Sequence, residues 1–63
     1  MDISTFITED RINSMREKYG HLYEFDYYKD GSVDVLDLKG NYVTTFYDIN
    51  DCMKFEMDQN HIT

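Results

Sequence analysis

Two short turn signals, Lys29-Asp30-Gly31 and Lys39-Gly40-Asn41, divide the middle of the chain and constrain its fold more than any other feature. Each holds a glycine, which takes positive φ without steric cost. The residues around them have a period of two. Tyr23, Phe25 and Tyr27 alternate with Glu24, Asp26 and Tyr28, which is strand behaviour. Ser32 to Leu38 reads as a second strand. Tyr42 to Tyr47, rich in β-branched and aromatic residues, reads as a third. Links this short cannot carry a parallel crossover, so the sheet is expected to be an antiparallel meander.

Helical signals flank this region. Residues 8–20 read as a helix: Thr8 suits the N-cap, Glu9 and Asp10 the first turn, Lys18 the last turn and Gly20 the C′ position. Ile7 and Ile12 have the spacing of a hydrophobic staple. Ile12, Met15 and Tyr19 form a stripe almost opposite Ile3, Phe6 and Ile7, which predicts a break at Thr8. Asp48 caps a second helix with Asp51 in its first turn. Ile49, Cys52, Met53 and Met57 form its apolar side, with Phe55 turned away towards Asp51 and Asp58, and Gln59 to Thr63 frayed. The expected fold is a single α+β domain over residues 1–63, α-β-β-β-α, with both helices on one face of the sheet. Its expected core is Ile12, Met15, Tyr19, Val33, Val35, Val43, Ile49 and Met53.

A chain of 63 residues buries only about 60% of its unfolded surface, so its stability is marginal unless something staples it. Cys52 is the single cysteine, so no intrachain disulfide forms, and a lone thiol suits a reducing, cytoplasmic setting. Six Tyr and four Phe supply large buried area instead. The chain opens on Met1 with no basic or apolar leader and no long apolar run. It is therefore read as a complete small cytosolic product without a membrane span.

The candidate chemistry is sparse. Asp26 to Asp37 resembles a calcium loop at some positions, but Tyr28 stands at the third and Asp37 at the twelfth, and strands flank it. An Asp-Gly hairpin is the better reading. His21, His61 and Cys52 lack the spacing of a zinc site, and helical position alone makes Cys52 a small core residue. Gly20, Gly31 and Gly40 are isolated, so no glycine-rich phosphate loop is present. These residues give no reason to expect an enzyme, a metal or a cofactor.

Charge is the remaining signal. Thirteen acids against six bases leave a net charge of −7, which repels nucleic acid and anionic membranes and attracts basic protein surfaces. Residues 30–63 hold seven acids and two bases. Acids two apart on a strand lie roughly 6.6–6.8 Å apart, similar in scale to the phosphate spacing of a nucleic-acid strand. Glu24 with Asp26, and Asp48 with Asp51 and Asp30, are candidates for such an array.

In size, charge and lack of cofactors the chain is similar to small acidic proteins of phage and mobile elements, nucleic-acid mimics among them. The expected function is therefore a non-enzymatic module that inhibits or modulates a nucleic-acid-handling host protein with a basic surface. The expected contact residues are Asp30, Asp34, Asp37, Asp48, Asp51 and Asp58, with Tyr47 or Phe55 as aromatic anchor. The alternative is a structural homodimer or an accessory subunit, held by exposed aromatics such as Tyr28, Tyr47 and Phe55.

Overall fold

Thr8 caps the first helix in the structure, a computed structural model that describes residues 5–60. The expectations for Ile3 and for residues 61–63, His61 included, lie outside the described residues. Thr8 is extended (φ −94°, ψ 155°), and its hydroxyl accepts the Arg11 N–H at 3.2 Å, which places the predicted break where the spacing put it. Helix α1 runs Glu9–Tyr19. Gly20 is right-handed (φ −63°), not the left-handed cap expected; its N–H continues the helical pattern to the Arg16 carbonyl at 2.9 Å.

Strands β1 (Tyr23–Tyr27), β2 (Val33–Asp37) and β3 (Tyr42–Phe46) form an antiparallel meander in the order β1-β2-β3. Both hairpins close in the same way, with Tyr28 N–H donating to the Ser32 carbonyl and Asp37 N–H to the Asn41 carbonyl, each at 2.9 Å. Both therefore have three-residue loops ending in a left-handed glycine, Gly31 (φ 93°) and Gly40 (φ 90°). The second loop is Leu38-Lys39-Gly40, one residue earlier than the turn signal suggested. Aspartates staple both turns. Asp30 accepts the Ser32 N–H and hydroxyl, and Asp37 accepts the N–H groups of Lys39 and Asn41 and the Asn41 side-chain amide.

Helix α2 spans Ile49–Asn60, so Gln59 and Asn60 are helical rather than frayed. Asp48 caps it, accepting from the N–H groups of Asn50 (3.0 Å) and Asp51 (3.2 Å). Asp51 reaches back to the Tyr47 N–H at 2.8 Å, a reciprocal arrangement close to a capping box.

The core holds Ile7, Ile12, Met15, Phe25, Val33, Val35, Phe46, Cys52 and Phe55. Phe25, Val33, Val35 and Phe46 share one sheet face by alternation, and both helices pack on it. The expected core needs four corrections. Tyr19 and Ile49 are half-buried, while Val43 and Met53 are 42% and 48% exposed. Val43 is the extra residue of a bulge, because Thr44 pairs with Val35 and Tyr42 with Leu36. Met53 is exposed because α2 turns Cys52 and Phe55 to the sheet instead. Phe55, expected to point outward, is 8% exposed. Its ring meets those of Tyr19, Tyr23, Phe25 and Phe46 edge-on at 5.9, 5.2, 6.0 and 5.3 Å. A phenyl ring in an aromatic cluster gains more from burial than a flexible Met, and this decides the rotation of the helix.

Candidate functional site

With both helices on one face, no described element covers the other face of the sheet, which is called the open face. Alternation turns Glu24 and Asp26 of β1, Asp34 and Leu36 of β2, and Tyr42 and Thr45 of β3 outward. Asp26 stands directly opposite Asp34, and Asp34 directly opposite Thr45. The Tyr28–Ser32 bond fixes the hydrogen-bonding parity of the hairpin, which makes Asp26–Asp34 a hydrogen-bonded pair, about 5.5 Å between Cα atoms. Glu24 follows on the same face about 6.7 Å along the strand.

Asp34 is held in place. Tyr28 donates its hydroxyl to Asp34 Oδ2 at 3.1 Å, and Thr45 Oγ1 donates to Asp34 Oδ1 at 2.9 Å, with the Tyr42 hydroxyl 2.8 Å from Thr45 Oγ1. The hydrogen bond to the Asp34 carboxylate raises the Tyr28 phenol above its ordinary pKa, because losing the proton would break that bond beside a negative charge. The carboxylates of Glu24 and Asp26 accept no hydrogen bond and form no ion pair among the described residues. No strand contains a Lys or Arg. The cations of α1 are engaged elsewhere: Arg11 (3.1 Å) and Lys18 (3.6 Å) share Glu56, and Arg16 donates to the Phe25 carbonyl at 2.7 Å. The face thus combines three carboxylates with the exposed rings of Tyr28 and Tyr42, and none of the three strands sets a Lys or Arg beside them.

The expected contact residues do not form one surface. Asp34 lies on the open face. Asp30 lies in the loop before β2 and Asp37 is the last residue of that strand, so the whole length of β2, roughly 13 Å, lies between them. Hydrogen bonds hold both carboxylates below the usual range, the Ser32 N–H first for Asp30 and the Asn41 N–H first for Asp37. Asp48 and Asp51 cap α2, and Asp58 lies on its exposed side, lining a groove beside β3 with Asp51. Tyr47 is 76% exposed and shares a hollow of about 320 Å³ with Asp30 and Phe6. Phe55 belongs to the core and is no exposed anchor. Thr45, Tyr42 and Leu36, to which the charge pattern does not point, share the face with Asp34. The signal that places Thr45 is register: with the hairpin closed at Tyr28 and Ser32, Asp26 falls opposite Asp34, and the next hairpin sets Thr45 beside it.

Cys52 is fully buried, and burial pushes its thiol up to about 11, against a smaller opposing effect of the Arg11 guanidinium. Among the described residues, no three His, Cys, Asp or Glu side chains come together to hold a metal ion. The stretch from Asp26 to Asp37 is a hairpin, with Asp26 and Asp34 paired across strands. Among the described residues no helix is long and apolar enough to cross a membrane. Comparison with protein-family models, curated proteins and solved structures finds no match for the chain.

Proposed function

We propose that the chain is a non-catalytic, acidic binding module that docks the open face of its sheet on a basic protein surface. By occupying a site that otherwise takes nucleic acid, it inhibits or modulates that protein, as small acidic proteins of phage and mobile elements do. The observation that carries this reading is the face itself, on which the three strands place carboxylates and no Lys or Arg. Glu24, Asp26 and Asp34 project from adjacent strand positions, while three of the six cations are committed on the helix side.

The carboxylates steer a positively charged partner towards this face and set its register. Tyr28 and Tyr42 offer ring faces to a guanidinium beside the carboxylates, so the geometry favours Arg over Lys in the partner. Asp34 is preorganised by two hydroxyl donors, which lowers the ordering cost of binding. Glu24 and Asp26 keep all their acceptor capacity for the partner. Backbone amide shifts recorded during titration with a short oligo-arginine peptide test the reading. The expected result is a patch centred on residues 24, 26, 28, 34 and 42. Shifts centred on the helices would reject it.

A further inference from the structure

A bulge brings Tyr42 onto the open face. Residues three apart on a regular strand point to opposite sides of a sheet. Tyr42 and Thr45 nevertheless share one side, because Val43 is the extra residue between the Tyr42–Leu36 and Thr44–Val35 pairs. The shift has a chemical result. The Tyr42 hydroxyl lies 2.8 Å from Thr45 Oγ1, and Thr45 Oγ1 donates to Asp34 Oδ1 at 2.9 Å. A threonine hydroxyl has one hydrogen, and here the carboxylate takes it. The Tyr42 phenol is therefore the donor of the shorter contact, and the bonds run from Tyr42 to Thr45 to Asp34. From the other side, Tyr28 donates to Asp34 Oδ2 at 3.1 Å. One carboxylate thus tethers two phenols, Tyr28 directly and Tyr42 through Thr45. Both rings remain exposed, at 45% and 65%, while their hydroxyls are held to the sheet.

We infer, on the reading that the open face binds a basic partner, that Thr45 is a positioning residue which sets the affinity of that face and its preference for arginine over lysine. Thr45 is half-buried, and among these four linked residues it alone is neither charged nor aromatic. It offers a cation nothing directly, because its one hydrogen is already used. It acts through Asp34 and Tyr42. A side chain that must be ordered at the moment of binding costs affinity, and the tether orders the Asp34 carboxylate and the Tyr42 ring beforehand. A planar guanidinium stacks on a ring while it bonds a carboxylate, so it gains from rings fixed beside Asp34. An ammonium meets the carboxylate as a compact point charge and gains less. Cutting the tether at Thr45 releases one carboxylate oxygen and one ring, and it changes no charge on the face. The bulge at Val43 has a role in the same arrangement, since without it Tyr42 would point to the helix side of the sheet.

Calorimetric titration with an oligo-arginine and an oligo-lysine peptide, each at several salt concentrations, tests the role of Thr45. Thr45→Val removes the hydroxyl and keeps the β-branched shape that suits a strand. It should raise the oligo-arginine dissociation constant about three- to tenfold and the oligo-lysine constant by less. The dependence of affinity on salt should match wild type, since the three carboxylates are unchanged. Thr45→Ser restores the hydroxyl and should bind nearly as wild type does. Tyr42→Phe keeps the exposed ring and drops only the phenol, so it should weaken oligo-arginine binding as Thr45→Val does, in a strand whose packing is untouched. If wild type binds oligo-arginine and both Thr45→Val and Tyr42→Phe bind it equally well, the positioning role is overturned and the binding face stands. A Thr45→Ser chain as weak as Thr45→Val, or equal losses for the two peptides, also overturns it. A wild type that binds neither peptide overturns the reading of the face, and the role of Thr45 falls with it.

Discussion

Asp26 and Asp34 face each other directly across β1 and β2, two carboxylates on the exposed side of one hairpin. Like charges in that position oppose folding. The two hydroxyl donors on Asp34 offset part of this, but nothing among the described residues offsets Asp26. Removing one of the charges should therefore stabilise the free protein. Asp26→Asn is expected to raise stability by about 0.2–1 kcal/mol in urea denaturation and to weaken binding to an oligo-arginine peptide. Lower stability would mean that the pair is not repulsive in this setting.

Phe55 and Tyr47 separate core from surface. Phe55→Ala removes the ring that meets four others and should cost about 3–5 kcal/mol. A domain of this length has roughly 3–9 kcal/mol in all, so much of the variant should be unfolded at room temperature. Tyr47→Ala, at a largely exposed ring, should stay within about 0.5 kcal/mol of wild type. Equal effects in denaturant titrations would contradict the packing described.

The turn carboxylates set the acid limb of stability. Asp37 and Asp30 titrate below their ordinary range in the folded chain, so the unfolded chain binds more protons in acid. Their contribution is present above about pH 4 and is lost as pH falls through the lowered folded values. Asp37→Asn should be less stable than wild type near pH 7, with the gap closing in acid. A gap independent of pH would remove the carboxylate from the explanation.

Cys52 titrates in the opposite sense. Its folded value is raised to about 11, so its contribution is present below about pH 8.5 and is lost as pH rises through 11. At pH 8 an aromatic disulfide reagent should modify it only as fast as the chain opens, and added urea should accelerate the reaction. Prompt modification of the native protein would contradict its burial. Cys52→Ser should cost about 1–3 kcal/mol by placing a hydroxyl among apolar groups.

Local signals in the sequence carried the architecture. Capping residues Thr8 and Asp48, the period-two strands and the turn glycines fix five elements and their order, because each acts over a few neighbouring residues. The rotation of α2 was not legible in the same way. Helical spacing groups Cys52 with Ile49, Met53 and Met57 and turns Phe55 away, and only the aromatic rings contributed by the sheet bring Cys52 and Phe55 inward together. The candidate face had the same difficulty. Acids close in sequence, such as Asp48 and Asp51, proved to be caps, whereas Asp26 and Asp34 meet through register. A count of charge along the chain could not separate acids that staple turns from acids that remain unpartnered.

The central claim, that the open face is the binding surface, is tested most directly by matched charge removal. Glu24→Gln/Asp26→Asn and Glu9→Gln/Asp10→Asn delete the same charge from the sheet face and from α1. Each is titrated by calorimetry with an oligo-arginine peptide at low and high salt. Wild-type affinity should fall as salt rises, the sheet-face pair should lose most of its affinity, and the α1 pair should stay near wild type. Equal losses for the two pairs, or an affinity insensitive to salt, would contradict it.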